Sequence, residues 1–466
     1  MIFESARKLA SQLARRKISA VEVVSAFIAQ IERVNPKVNA IVTFLPEQAL
    51  KAAKALDRKK QKTLFGGLPI AYKDNVQTKG IRTTFGSPIY EKNIPDEDHL
   101  IVRRLSAAGA ITIGKTNLPE FAAGSQTFNS VFGATKNPYD PSKTCGGSSG
   151  GAAVAVACGM LPFADGGDLA ASLRNPGNYC NVVGFRPTPG RVPAWPAPNA
   201  WNTLGVLGPM GRTVEDTAFL LSAMAGPDLR SPISIAEPGS IFQKKLDRNF
   251  RKVRVAWSRD LGGLPIDPRV TRVLDAQRKV FSSMGCVIED AEPDFSGATE
   301  AFETLRALGF LQSYGEFYRT RRNDLKDTVQ WNVEQGMRLT PEQVARATAL
   351  RSQLYQRMRA FLEKYDFLVC PVNQLPPYPV DTEWPREIAG VKLDNYLDWM
   401  KSCYYITITS HPAISVPAGF TSDGLPVGIQ IVGRYRDDFG VLQLAHAFEQ
   451  ANPCFTRRPP CATGFS

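Results

Sequence analysis

Two hydroxyls stand in one glycine- and alanine-rich stretch of the chain, and a lysine closes an apolar run upstream of them. Residues 145–191 contain Gly146-Gly147-Ser148-Ser149-Gly150-Gly151 and then Asp168-Leu169-Ala170-Ala171-Ser172-Leu173-Arg174. The lysine is Lys73, in Leu68-Pro69-Ile70-Ala71-Tyr72-Lys73-Asp74-Asn75. Together they read as a serine nucleophile activated by lysine rather than by histidine. A lysine after an apolar strand is partly desolvated. That disfavours its ammonium form and makes the amine a base near neutral pH. The competing reading is a strand-end lysine that snorkels to water. Glycines let a backbone approach a substrate closely. The run lacks the lysine of a phosphate-binding loop, which argues against nucleotide binding. A plain helix entry over residues 151–158, with Ser148 or Ser149 near its cap, remains open. Small residues before Ser172 leave backbone N–H groups free to face a developing oxyanion. Asp168 and Arg174 flank them and are placed to brace the turn by ionic hydrogen bonds. The alternative is an alanine-rich turn with a surface salt bridge.

Other chemistry is scarce. The chain has three histidines, His99, His411 and His446. None has ligand-pair spacing, and no G-x-S-x-G elbow accompanies them. His411 and His446 are expected to be structural. Eight cysteines include no C-x-x-C pair, so reduced, buried thiols are expected. The formal charge is +12, but basic residues are dispersed, and Arg15-Arg16-Lys17, Arg58-Lys59-Lys60 and Arg319-Thr320-Arg321-Arg322 are short. Such runs fit a solvated surface better than a nucleic-acid footprint. No apolar signal core begins the chain, and no apolar run approaches a membrane span. A cytoplasmic location is expected.

The elements that must position these residues alternate. Strand-like runs fall at residues 40–44, 68–72, 110–113, 253–257, 367–369, 413–416 and 427–432, with helical patterns between many of them. Ser19 and Glu22 form a capping box for a helix that Asn35-Pro36 is expected to end. Thr340-Pro341-Glu342-Gln343 starts another helix. Asp423-Gly424 reads as a hairpin turn, so the sheet is predicted to be mixed. The alternation predicts an α/β fold with a large, mostly buried sheet. A single catalytic domain over residues 1–466 is expected, with a less regular excursion at about 230–400.

Taken together, these motifs resemble the amidase signature family of serine hydrolases. The likeness extends to Gly114-Lys115-Thr116-Asn117-Leu118-Pro119-Glu120-Phe121 and Asn137-Pro138-Tyr139-Asp140. It includes Cys180-Asn181-Val182-Val183-Gly184-Phe185-Arg186-Pro187-Thr188, Gly208-Pro209-Met210-Gly211-Arg212-Thr213 and Pro412-Ala413-Ile414-Ser415-Val416-Pro417. It implies the family's α/β fold, a large mixed central β-sheet covered by α-helices on both faces. It also implies a Ser-Ser-Lys triad, with Ser172 as nucleophile, Ser148 bridging on a cis Gly147–Ser148 peptide, and Lys73 as base. The backbone N–H groups of Leu169, Ala170, Ala171 and Ser172 would form the oxyanion hole. Ser149 is a rival bridge whose spacing is off by one; Asp168 and Arg174 support. Gln126 would contact substrate by its position. No metal or organic cofactor is implied. The chain departs from the family in Ala170-Ala171, where two glycines are usual. That turn must tolerate a Cβ.

The resemblance implies an amidase that cleaves small, hydrophobic amides to carboxylic acid and ammonia or amine through a Ser172 acyl-enzyme. Phe85, Phe128, Trp195, Trp201 and Tyr314 are candidate pocket residues. One alternative is the amidase-like subunit of a glutamine-dependent tRNA amidotransferase, which needs a second polypeptide as partner. Another is a noncatalytic binding protein on this fold, which the intact triad positions disfavour. The expected partner is a small-molecule amide, with no nucleic acid and no membrane; a homodimer is the expected assembly.

Overall fold

The computed structural model describes residues 1–59 and 62–463, so Lys60 of the second basic run lies outside the described residues. Strands β1 (Ile41–Phe44), β2 (Pro69–Lys73) and β3 (Ile111–Thr116) form a small sheet in the order β1-β3-β2. Its β2 runs parallel to β3, and β1 runs antiparallel. The large sheet uses β4 (Phe163–Asp168), β5 (Val183–Arg186), β6 (Val206–Gly211), β7 (Arg254–Trp257), β8 (Val287–Asp290) and β9 (Phe367–Pro371). After a short hairpin of β10 (Glu387–Ile388) and β11 (Val391–Lys392), it is completed by β12 (Ala413–Phe420) and β13 (Pro426–Gly433). Its eight strands lie in the order β4-β6-β5-β12-β13-β9-β7-β8. Only β7 pairs in parallel, with β8 and β9, so the sheet is mixed as the Asp423-Gly424 turn predicts. Gly424 takes a φ of +81° in that turn, a conformation open to glycine at little cost.

Both faces of the large sheet are buried, and strand period 2 divides its side chains between two cores. In β9, Phe367 and Val369 enter one core, and Leu368 and Cys370 enter the other. The first core is covered by Leu442, Ala445 and Phe448 of the helix Asp438–Ala451. The second is covered by Leu354, Met358 and Leu362 of the helix Pro341–Lys364, and by Ala298, Ala301 and Phe302 of Ala298–Thr320.

The predicted Ser19–Glu22 capping box forms, and the helix that starts at Thr340-Pro341-Glu342-Gln343 carries one too, between Thr340 and Gln343. The first helix does not end at Asn35-Pro36 but runs to Val38 with Pro36 inside it. A proline removes one N–H and one helix bond, and in the last turn that loss is small. The Asn35 side chain then accepts from the Ala40 and Ile41 N–H groups, at 2.9 and 2.8 Å, and turns the chain into β1. The basic runs are exposed where described. All eight cysteines are free thiols, and Cys158 and Cys461 stand 3.7 Å apart. Among the described residues, no helix is long and apolar enough to cross a membrane.

The two sheets meet at β2 and β4. The N–H of Lys73, last in β2, donates to Asp165 of β4 at 3.2 Å. This contact sets the lysine beside the turn that follows β4.

Candidate active site

Lys73 is almost fully buried and makes no ion pair among the described residues. Its Nζ donates to Ser148 Oγ at 2.7 Å and to Ser149 Oγ at 3.0 Å. Both serines precede the helix Gly150–Ala157, whose eight residues are all buried. The Gly147–Ser148 peptide is cis. Thr127 pins this loop: its Oγ1 donates to the Gly146 carbonyl at 2.8 Å and accepts from the Gly150 N–H at 3.2 Å. Gly146 has φ +75°, and a Cβ there would lie 2.2 Å from Asn175 Oδ1. Only glycine meets both demands.

Ser149 ties the pieces together. Its Oγ exchanges hydrogen bonds with the Gly167 backbone at 3.3 Å, and its N–H donates to the Ser172 carbonyl at 3.2 Å. The structure thus gives Ser148 and Ser149 different surroundings. Ser148 borders the cavity, whereas Ser149 does not line it and stands at the N-cap position of the helix, without a side-chain cap bond.

The turn from Asp168 to Arg174 is clamped at both ends. Arg174 Nε and Nη2 donate to the two Asp168 carboxylate oxygens, each at 3.0 Å. Its Nη2 also reaches the Ala170 carbonyl at 2.8 Å, and its Nη1 reaches Gln430 Oε1 at 2.7 Å. The pair is wholly buried, which rules out the surface salt bridge considered from sequence. Arg186 adds a second guanidinium on the Asp168 carbonyl and carboxylate. Ala170 and Ala171 avoid left-handed backbone conformations and bury their methyls in the second core. Among the described residues, no acceptor takes the N–H groups of Leu169, Ala170, Ala171 or Ser172. Ser172 Oγ likewise makes no hydrogen bond among the described residues, and the residue borders the cavity.

Burial pulls the Lys73 ammonium down to about 7, although Asp165 and Asp168 partly oppose it. Burial pushes Asp165 up to about 6 against the pull of Lys115. Burial also acts on Asp168, but Arg174 and Arg186 outweigh it and hold the carboxyl below its usual range. Lys73 therefore has a neutral population near pH 7, while Asp168 stays ionised.

A cavity of about 920 Å³ opens over Lys73, Ser148 and Ser172. One wall carries Phe85, Tyr90, Phe121, Phe310, Tyr314 and Phe317, which pack against one another. Phe121 packs against Tyr314 with ring centroids 4.5 Å apart. Phe85, Phe121 and Ala122 take φ of 56°, 48° and 58°, a clustering of costly backbone conformations at the cavity edge. Of the aromatics expected there, Phe85, Trp201 and Tyr314 line the cavity, and Phe128 and Trp195 do not. Phe128 lies under the Lys326 ammonium, and Trp195 lies between Arg103 and Arg230. Gln126 is also away from the lining, its amide donating to the Val380 carbonyl.

Sequence reading missed Asp165, Arg186 and the cavity's own arginines. Asp165 had a local signal, a second acid in the small-residue run Asp165-Gly166-Gly167-Asp168. His99 also went unread: it lines the cavity, caps the helix Leu100–Ala107 through Nδ1, and is pulled down to about 4 by burial. His411 bonds to Thr409, which suits a structural residue.

Comparison with known proteins identifies the family. The family model described as Amidase matches residues 22–442. An acylamidase of Rhodococcus erythropolis is 35% identical, covering 98% of this chain and 97% of that protein. The A-type chain of a glutamyl-tRNA(Gln) amidotransferase of Lactiplantibacillus plantarum is 32% identical, covering 97% of each. The crystal structure of a bacterial aryl acylamidase of the amidase signature enzymes superposes with a TM-score of 0.92 at 26% identity, covering 99% of each chain.

Proposed function

This chain belongs to the amidase signature family and is a hydrolase of amide C–N bonds, and from that premise we propose that Ser172 is its nucleophile. Neutral Lys73 takes a proton from Ser148, which takes one from Ser172. Ser172 Oγ attacks the amide carbonyl. The N–H groups of Leu169, Ala170, Ala171 and Ser172 hold the oxyanion. Ser148 returns the proton to the departing amine, and water then cleaves the acyl-enzyme. The observation that carries this reading is a buried lysine, with no ion pair among the described residues, 2.7 Å from Ser148 Oγ and in the same cavity as Ser172. Ser148 and Ser172 share no hydrogen bond among the described residues, and in this reading the link between them forms as substrate binds, as catalytic hydrogen bonds often do.

The substrate class we assign is small amides with an apolar or aryl portion, which the aromatic wall suits. The enzyme acts alone on a small molecule, as a cytoplasmic homodimer, without nucleic acid or cofactor. The alternative of a tRNA amidotransferase component draws on the likeness to such proteins, and it requires glutaminase activity only with a partner and tRNA.

A fluorophosphonate tests the nucleophile without knowledge of the substrate. The expected result is a single adduct on Ser172, mapped by peptide mass spectrometry and lost in Lys73→Ala. An adduct on another serine, or equal labelling in Lys73→Ala, would overturn the assignment.

A further inference from the structure

We propose that the part of the cavity lined by Arg306 is a carboxylate subsite, so that preferred amides carry an anionic group in addition to the scissile bond. The assignment rests on the amidase reading of the cavity floor. Arg306 lines the cavity from the helix Ala298–Thr320 and is only 5% exposed. Its Nε donates to Asn332 Oδ1 at 3.1 Å and its Nη2 to the Tyr396 hydroxyl at 2.8 Å. Asn332 Nδ2 in turn donates to the Thr328 carbonyl and the Tyr396 oxygen, each at 2.6 Å. The guanidinium also lies over Phe310, 4.4 Å from the ring centroid. All these partners are neutral. They fix the fork in place and leave Nη1 without an acceptor among the described residues.

The other buried arginines meet carboxylates or carbonyls, although Arg186 Nε has no hydrogen-bond partner among the described residues. Arg174 and Arg186 meet Asp168, and Arg191 meets Asp438 and Glu237. Arg212 donates to the carbonyls of Val156, Leu161 and Glu4. Arg306 has no ion pair among the described residues. Glu303, one turn earlier on the same helix, feels the Arg306 charge, but burial pushes its carboxyl up and it accepts from Asn395 rather than from Arg306. A buried charge left without a partner is unfavourable, and an anionic ligand removes that penalty. The cavity's field agrees. Among the described residues, Arg351 also lines the cavity without an ion pair, and the cavity's one carboxylate, Asp168, is already held by two arginines.

Phe310, Tyr314 and Phe317 follow Arg306 along one helical stripe. The stripe from Arg306 to Phe317 spans about 16 Å at the α-helical rise. The ligand that fits is an amide with an apolar body and a terminal carboxylate, such as a dicarboxylic acid monoamide or an N-acyl aminobenzoate.

Two matched pairs test this and report which side of the amide bears the charge. One is succinic acid mono-4-nitroanilide against butyric acid 4-nitroanilide; the other is 4-acetamidobenzoate against acetanilide. In at least one pair, kcat/KM should favour the carboxylate by tenfold or more, with the ratio falling as salt rises. Arg306→Gln should cut that ratio at least tenfold, and Arg306→Lys should retain part of it. A preference for the neutral member in both pairs, or a ratio unchanged in Arg306→Gln, would overturn the subsite. Should that variant fail to fold, calorimetry on the wild-type protein decides with 4-phenylbutyrate and 4-phenylbutanol as probes. Tenfold tighter binding of the carboxylate supports the subsite, and equal binding refutes it. If no amide is cleaved, the amidase reading fails separately, while the calorimetric pair still judges Arg306.

Discussion

The floor and the aromatic wall of the cavity are built by opposite means. The floor is backbone and small side chains, held by Thr127, Ser149 and the Asp168–Arg174–Arg186 cluster. The wall is large side chains from residues 85–121 and one long helix, meeting as packed rings. A floor of this kind fixes where donors point, which bond-making chemistry demands. A wall of rings sets size and polarity, and can change without moving the floor. Two buried lysines on neighbouring strands make the same contrast at the scale of one residue. Lys115 Nζ is saturated by the Val76 carbonyl and the Thr78 and Thr83 hydroxyls, whereas Lys73 meets only two serine hydroxyls.

Breaking the floor should have the largest effect. Ser172→Ala should lower kcat by about 10⁶-fold, with Lys73→Ala close behind, because triad members act as a unit. The double variant should lose no more than Ser172→Ala alone; multiplied losses in steady-state kinetics would mean that the two residues act separately. The pH profile comes next. The protonated amine is inactive, so kcat/KM should fall about tenfold per pH unit below the Lys73 pKa of about 7 and level off above it. A profile flat from pH 5 to 9 would remove Lys73 from its role.

Much of the floor was legible because its chemistry is local in the chain. Lys73, Ser148, Ser172, Asp168 and Arg174 stand in short runs whose composition announces close backbone approach. Seven strands were also readable from apolar runs. Strands β4, β5 and β6 were not, since glycine, with aspartate or proline, which strands disfavour, breaks up their short apolar runs, as in Phe163-Ala164-Asp165-Gly166-Gly167-Asp168 and Val206-Leu207-Gly208-Pro209-Met210-Gly211. Their glycines answer to packing: a Cβ on Gly208 would lie 2.3 Å from the Phe185 carbonyl oxygen. The wall was poorly legible for a different reason. Phe85, Tyr314 and Arg306 come from distant segments, and nothing local separates them from Phe128 or Trp195, which point elsewhere.

Steric demand on the floor can be measured as stability. Gly146→Ala places a methyl on Asn175 Oδ1 at positive φ. It should cost about 3 kcal/mol in urea unfolding, combining overpacking with the left-handed penalty. Ala170→Gly, on the same floor but at ordinary φ, should cost about 1 kcal/mol or less. Equal costs would mean that the floor is not the rigid part of the cavity.

The smallest expected effect sharpens the comparison from the other side. Tyr314 lies on the wall, its ring against Phe121 and Phe310. Its hydroxyl makes no hydrogen bond among the described residues, so its role there is surface and shape. Tyr314→Ala removes one ring face from the substrate's apolar portion. An aromatic contact of this size is worth about 1.5 kcal/mol, so kcat/KM for an aryl amide should fall about tenfold. Acetamide, which does not reach the wall, should lose much less, and the drop for the aryl amide should appear mainly in KM. Fluorophosphonate labelling of Ser172 should proceed at nearly the parental rate, since the probe reports the floor. If the variant instead lowers kcat equally for both amides and slows labelling, wall and floor are mechanically one unit, and the division of labour between them is wrong.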